Sequence, residues 1–130
     1  MGKSILIIDD DRDFRTALKL VFECHDYRTH EACNGKEGIE SYRRTPTDIV
    51  LTDIYMPGKD GLETIRELKK EFPETKIIAM SGGNKGNGDF IQVARHLGAI
   101  HCIKKPFDPD ELIRLVNLTL EGDGAEGATL

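Results

Sequence analysis

The sequence stacks acids where acids repel. In SILIIDDDRDF, Ser4 to Phe14, four aliphatic residues run straight into Asp9, Asp10 and Asp11. In DIVLTDIYMPGKDG, Asp48 to Gly61, a second apolar run ends at Asp53. Two further runs close on polar residues, Ser81 after IIAM and the pair Lys104 and Lys105 in HCIKKPF. If Asp9, Asp10 and Asp53 share one place, two carboxylates ~5 Å apart repel by roughly 3 kcal/mol at an effective dielectric of 20. A hard divalent cation removes that repulsion, because oxygen ligands suit Mg²⁺ and a site with few protein ligands leaves positions for water and a phosphoryl group. The acids therefore read as a metal site. Lys105 reads as a cation aimed at an anionic ligand beside it, with the Ser81 hydroxyl as a further contact.

For these residues to meet, the elements carrying them must share an edge. Short apolar runs alternate with segments of helical period, which is the pattern of a βα-repeating domain. The spacing predicts strands over Ser4–Asp9, Tyr27–Glu31, Asp48–Asp53, Lys76–Ser81 and Ile100–Lys104. Ile5–Ile8, Ile49–Leu51 and Ile77–Met80 are continuous apolar runs, as required where a parallel sheet is covered on both faces. The other two strands are more polar and suit edge positions. Core-facing stripes at helical spacing are Phe14, Ala17, Leu18, Val21 and Phe22; Leu62, Ile65, Leu68 and Phe72; and Leu112, Leu115, Val116 and Thr119. Asn34 with Glu37, Asp60 with Glu63, and Asp108 with Pro109 and Glu111 read as helix starts. A fourth helix is expected around Phe90–Leu97.

The expected fold is a single α/β domain: a (βα)5, doubly wound, flavodoxin-like parallel sheet in strand order 2-1-3-4-5. Residues 1–120 form the domain and residues 121–130 a flexible tail. All the polar residues singled out fall at carboxyl ends of strands, the edge where such sheets open their ligand crevice. Singly each has a plainer use. Asp10 or Asp11 suits a cap on the first helix, and Lys104 and Lys105 suit a surface. Jointly the complementary chemistry at the strand ends favours one site.

With 130 residues, 38% hydrophobic and 32% charged, the chain has the make-up of one soluble domain. A net charge of -5 gives no basis for non-specific binding to nucleic acid or to an anionic membrane. No apolar run approaches the ~20 residues that span a bilayer. The start lacks a signal-peptide pattern, so the expectation is cytoplasmic. Cys24, Cys33 and Cys102 have no CxxC spacing and are expected as buried reduced thiols. His25, His30, His96 and His101 match no metal-ligand spacing, and the sequon at Asn117 sits in a helical pattern.

The motifs IIDDD, LTDIYMPGKDGLE, IIAMSG and KKPF, in this order, make the sequence resemble a response regulator receiver domain over roughly Lys3 to Leu120. The chemotaxis receivers are of this kind. The resemblance implies two-component signalling, with phosphoryl transfer from a phosphohistidine on a sensor histidine kinase to Asp53. It implies that Asp9 and Asp10 hold Mg²⁺, Asp10 as the direct ligand, with Asp53 and the backbone carbonyl of Tyr55 completing the protein's share. Ser81 would bond the phosphoryl group and Lys105 would pair with it. The Lys105–Pro106 bond is expected to be cis. Partners would be the kinase and either a histidine phosphotransfer protein or a separate effector protein, since no output domain follows in these residues; phosphorelay intermediate and phosphate sink both fit.

Two features depart from the family pattern. Cys102 stands where an aromatic residue commonly couples phosphorylation to the output face, so an aromatic rotamer switch cannot operate there. The loop SGGNKGNGD is longer than usual by about two residues and is expected to act as an order–disorder element over the phosphate. Tyr55 is bulky and beside the expected route for water, which predicts slow loss of phosphate. Rival readings fail on the first loop. A flavodoxin-like cofactor binder needs a Ser/Thr/Gly-rich phosphate loop where this chain has DDDRDF, and an aspartate-nucleophile phosphatase needs DxDxT.

Overall fold

The structure is a computed structural model that describes residues 2–56, 61–82 and 88–122. Five strands and five helices alternate: β1 (Ser4–Ile8), α1 (Arg12–Cys24), β2 (Arg28–Ala32), α2 (Gly35–Arg44), β3 (Ile49–Asp53), α3 (Gly61–Glu71), β4 (Ile77–Gly82), α4 (Gly88–Leu97), β5 (His101–Lys105) and α5 (Pro109–Glu121). All pairings are parallel, in the order β2-β1-β3-β4-β5. The expected fold class and strand order are therefore the observed ones. β2 and β5, the polar strands, are the edges.

Alternation along the central strands builds two cores from one sheet. Leu6 and Ile8 of β1 point to the side covered by Ile39 and Tyr42 of α2, Ile65 and Leu68 of α3, and Ile91 and Ala94 of α4. Ile5 and Ile7 point to the other side, onto Leu18 and Phe22 of α1 and Leu112, Leu115 and Val116 of α5. Ile5 to Ile8 are all 0% exposed, so every residue of that run is buried from one face or the other. Each such side chain contributes about 1.5–3 kcal/mol by leaving water. That is why the strand tolerates a charge only at its end.

The helix starts follow their side chains. Asp11 caps α1, its Oδ1 accepting from the Phe14 N–H at 3.1 Å. Asn34 caps α2 and accepts from the Glu37 N–H at 2.8 Å, while Glu37 reaches back to the Cys33 N–H rather than to Asn34 itself. Asp108 caps α5 ahead of Pro109. The expected Asp60 cap lies outside the described residues, as do the Gly-rich part of the SGGNKGNGD loop and the tail beyond Gly122.

Several details differ from expectation. Ala17 is exposed, because α1 presents only the narrower stripe of Phe14, Leu18, Val21 and Phe22 to the sheet. Tyr27 precedes β2: it packs on Phe22 edge to face and its hydroxyl donates to Asn117 Oδ1 at 2.6 Å, so the strand starts at Arg28. β5 takes in Lys105 and β4 extends to Gly82. Of the three free cysteines only Cys102 is buried; Cys24 is exposed and Cys33 partly so. No described helix is long and apolar enough to cross a membrane.

Candidate functional site: an acidic cup at the carboxyl edge of the sheet

The strand order places β1 and β3 side by side, so the residues that end them meet. Carboxylate oxygens of Asp9, Asp10 and Asp53 lie within 4.8 Å of one another. Asp9 and Asp53 are buried and Asp10 is exposed. Lys105, from the far end of β5, reaches across: its Nζ donates to Asp9 Oδ2 at 2.9 Å and lies 3.6 Å from Asp53 Oδ2. Its position is fixed from behind by the Phe14 ring, whose centroid is 4.2 Å away. Phe14 in turn packs edge to face on Phe107, just beyond the cis Lys105–Pro106 bond. Ser81 is buried at the end region of β4.

Asp9 is committed on both sides. Its Oδ1 accepts from the Asp11 N–H at 2.9 Å, its Oδ2 takes the Lys105 ammonium, and its carbonyl accepts from the Arg15 guanidinium at 2.7 Å. Asp53 is held more loosely, by the Tyr55 backbone N–H and the Lys105 ammonium at 3.6 Å. Asp53 is the strained member. Burial drives its carboxyl from the ordinary 3.8 up to about 6; Lys105 and the Tyr55 backbone N–H pull it down, and the neighbouring Asp9 and Asp10 push it up. Desolvation thus outweighs a cation 3.6 Å away.

The end of β3 is held by α3. Gly61 N–H donates to the Ile54 carbonyl at 2.9 Å, and a Cβ on Gly61 would overlap the Asp53 carbonyl oxygen. Only glycine lets the helix start this close to the acid. Beside the cup, Tyr55 is 43% exposed and meets Phe90 of α4 edge to face, with centroids 5.3 Å apart. On the opposite side of α4, Cys102 is fully buried, its thiol directed at the Ile91 carbonyl at 3.8 Å and raised to about 11 by burial.

The donor set suits a hard cation: three carboxylates within bonding reach of one point and no soft ligand among them. Asp9, Asp10, Asp53 and Lys105, read from strand ends, are brought together; Ser81 and Tyr55 lie on the adjoining ends of β4 and β3. Sequence reading missed Phe14, Arg15, Gly61 and Phe90. For Phe14 and Arg15 the signal was available, since a helix starting directly after the acids must present its first turn to them.

A response regulator receiver domain model matches residues 5–117. The chain is 37% identical over 118 residues to chemotaxis protein CheY of Thermotoga maritima, covering 90% of this chain and 97% of that one. It is 36% identical over 112 residues to sporulation initiation phosphotransferase F of Bacillus subtilis, covering 86% and 89%. Among solved structures, a receiver domain protein from Clostridium thermocellum superposes with a TM-score of 0.86 at 27% identity, over 92% of this chain and 95% of that one.

Proposed function

This chain belongs to the response regulator receiver domain family, and from that premise we propose that Asp53 accepts a phosphoryl group from the phosphohistidine of a sensor histidine kinase. The observation that carries the proposal is the cup itself: three carboxylates within 4.8 Å with an ammonium 3.6 Å from Asp53. Asp10 and Asp53 would hold Mg²⁺ with the Tyr55 carbonyl, and Asp9, already engaged by Lys105 and the Asp11 N–H, would hold it from further out. When bound, the ion supplies charge neutralisation for the acids and for the incoming phosphoryl oxygens.

An Asp53 oxygen forms the new O–P bond in line as the P–N bond to the histidine breaks, and the electron pair returns to the imidazole. Lys105 then moves its attraction from Asp9 and Asp53 to the phosphoryl oxygens, and the Ser81 hydroxyl donates to one of them. Burial serves this step, because an Asp53 carboxylate that is poorly solvated gives up little on attacking phosphorus.

Output would pass through protein contacts with a separate effector or a histidine phosphotransfer protein. Similarity to a relative named as a phosphotransferase favours a relay place for this chain. Incubation with acetyl phosphate and Mg²⁺ should add one phosphoryl mass, at Asp53, and none to Asp53→Asn. Uptake by the variant equal to the parent's would refute the assignment. Return of the label to a histidine phosphotransfer protein would establish the relay role, and its slow release as inorganic phosphate the sink.

A further inference from the structure

At the amino edge of the sheet, opposite the acidic cup, lies a cavity of about 790 Å³ between α3, α4 and the starts of β4 and β5. Lys69 of α3, Lys76, and Arg95 and His96 of α4 line it, with Glu74 as the facing acid. Three cations against one carboxylate leave +2 with His96 neutral, on a chain whose net charge is -5. Positive charge is thus gathered into one concavity on an acidic protein, where low-dielectric walls focus it.

We propose that this cavity binds a small organic polyanion of nucleotide size, a nucleoside diphosphate or a molecule of like charge and bulk. The volume is in the range of small-molecule sites. Thr75 lines the cavity and is 4% exposed, and among the described residues its hydroxyl, itself closed to solvent, has no hydrogen-bond partner. A buried hydroxyl without a partner costs free energy, and rotation of the Thr75 side chain toward the cavity would let a phosphate oxygen satisfy it.

The cations are positioned rather than loose. Lys69 Nζ donates to the Pro73 and Thr75 carbonyls, both at 2.8 Å, which leaves one of its three N–H bonds for a ligand. Its stem runs against Gly98, where φ is +126° and a Cβ would collide with it. Lys76 spends one donor on the Thr119 carbonyl at 3.2 Å and keeps two. Burial holds the Lys69 ammonium below its ordinary range, and a bound anion would restore it. Ala99 and Ile100 give the cavity an apolar side against which a flat ring can lie.

The test is titration of the ¹⁵N-labelled full chain with ADP in metal-free buffer, where the acidic cup repels phosphate. Amide shifts should saturate at Thr75, Lys76 and residues 98–100, and binding should weaken steeply with salt. Lys76→Gln with Arg95→Gln should raise Kd at least about tenfold and leave phosphorylation of Asp53 by acetyl phosphate intact, which also reports that the variant is folded. Thr75→Val separates ligation from structure. A ligating hydroxyl predicts weaker ADP binding, whereas unchanged affinity in a more stable protein would count against the site. Shifts confined to Asp9, Asp10 and Asp53, no shifts at 10-fold molar excess or above, or undiminished binding by the charge variants would overturn the proposal.

Discussion

Asp53→Asn should make the metal-free protein more stable, although it removes a buried ion pair partner. The carboxyl stands at about 6 in the fold and 3.8 as its ordinary value, burial being the largest cause. At ~1.36 kcal/mol for each pH unit of displacement, keeping Asp53 ionised costs the folded state about 3 kcal/mol at pH 7. Asparagine carries no charge, so it escapes that cost while keeping an oxygen for the Tyr55 N–H. Since the folded value is raised, the folded state binds more protons than the unfolded one between about pH 4 and pH 6. The parent therefore loses stability relative to the variant across that window as pH rises. Urea unfolding of both proteins at pH 4, 5, 6 and 7.5 should show a gap that opens from near zero to about 2–3 kcal/mol and then stays flat. Saturating Mg²⁺ should narrow it, because the ion binds the folded parent and stabilises it by mass action. A variant that is less stable at pH 7.5, or a gap independent of pH, would refute the view that desolvation dominates this site.

Lys105→Met should push Asp53 still higher and destabilise the protein by about 3 kcal/mol, since Asp9 would be buried without its cation; NMR titration of the Asp53 carboxyl and thermal melts check this. Tyr55→Asn should speed loss of phosphate from Asp53 severalfold, and Phe90→Ala should act in the same direction by releasing the ring that braces Tyr55; an unchanged dephosphorylation rate in both would sink the shielding role. Gly61→Ala should cost about 1–3 kcal/mol through overlap with the Asp53 backbone, with slower phosphorylation by acetyl phosphate, whereas exposed Ala17→Ser should change neither by a measurable amount. Phe22→Ala, a fully buried ring packed on Tyr27, should cost about 3–5 kcal/mol in denaturant unfolding.

The sheet was legible because three strands carry continuous apolar runs, Ile5–Ile8, Ile49–Leu51 and Ile77–Met80, as a sheet covered on both faces requires. The acids and the hydroxyl were legible because they end those runs, and the lysine because it ends β5 at the same edge. Contacts set by reach across the fold were not. Nothing in the spacing says that Lys105 divides itself between Asp9 and Asp53, or that Phe14 backs it. Ala17 was misplaced because its spacing fits a wide stripe, whereas α1 touches the sheet along a narrow one. The basic cavity draws Lys69 from α3, Lys76 from the connection before β4 and Arg95 from α4, and each of them alone reads as an ordinary surface charge.

The cup's parts come from β1, β3, β4 and β5, and its ammonium comes from the last strand of all. A piece that ends before β5 therefore keeps the three carboxylates but lacks the cation that Asp9 and Asp53 share. Asp9 is then buried without its partner charge, which disfavours the closed cup until β5 has docked.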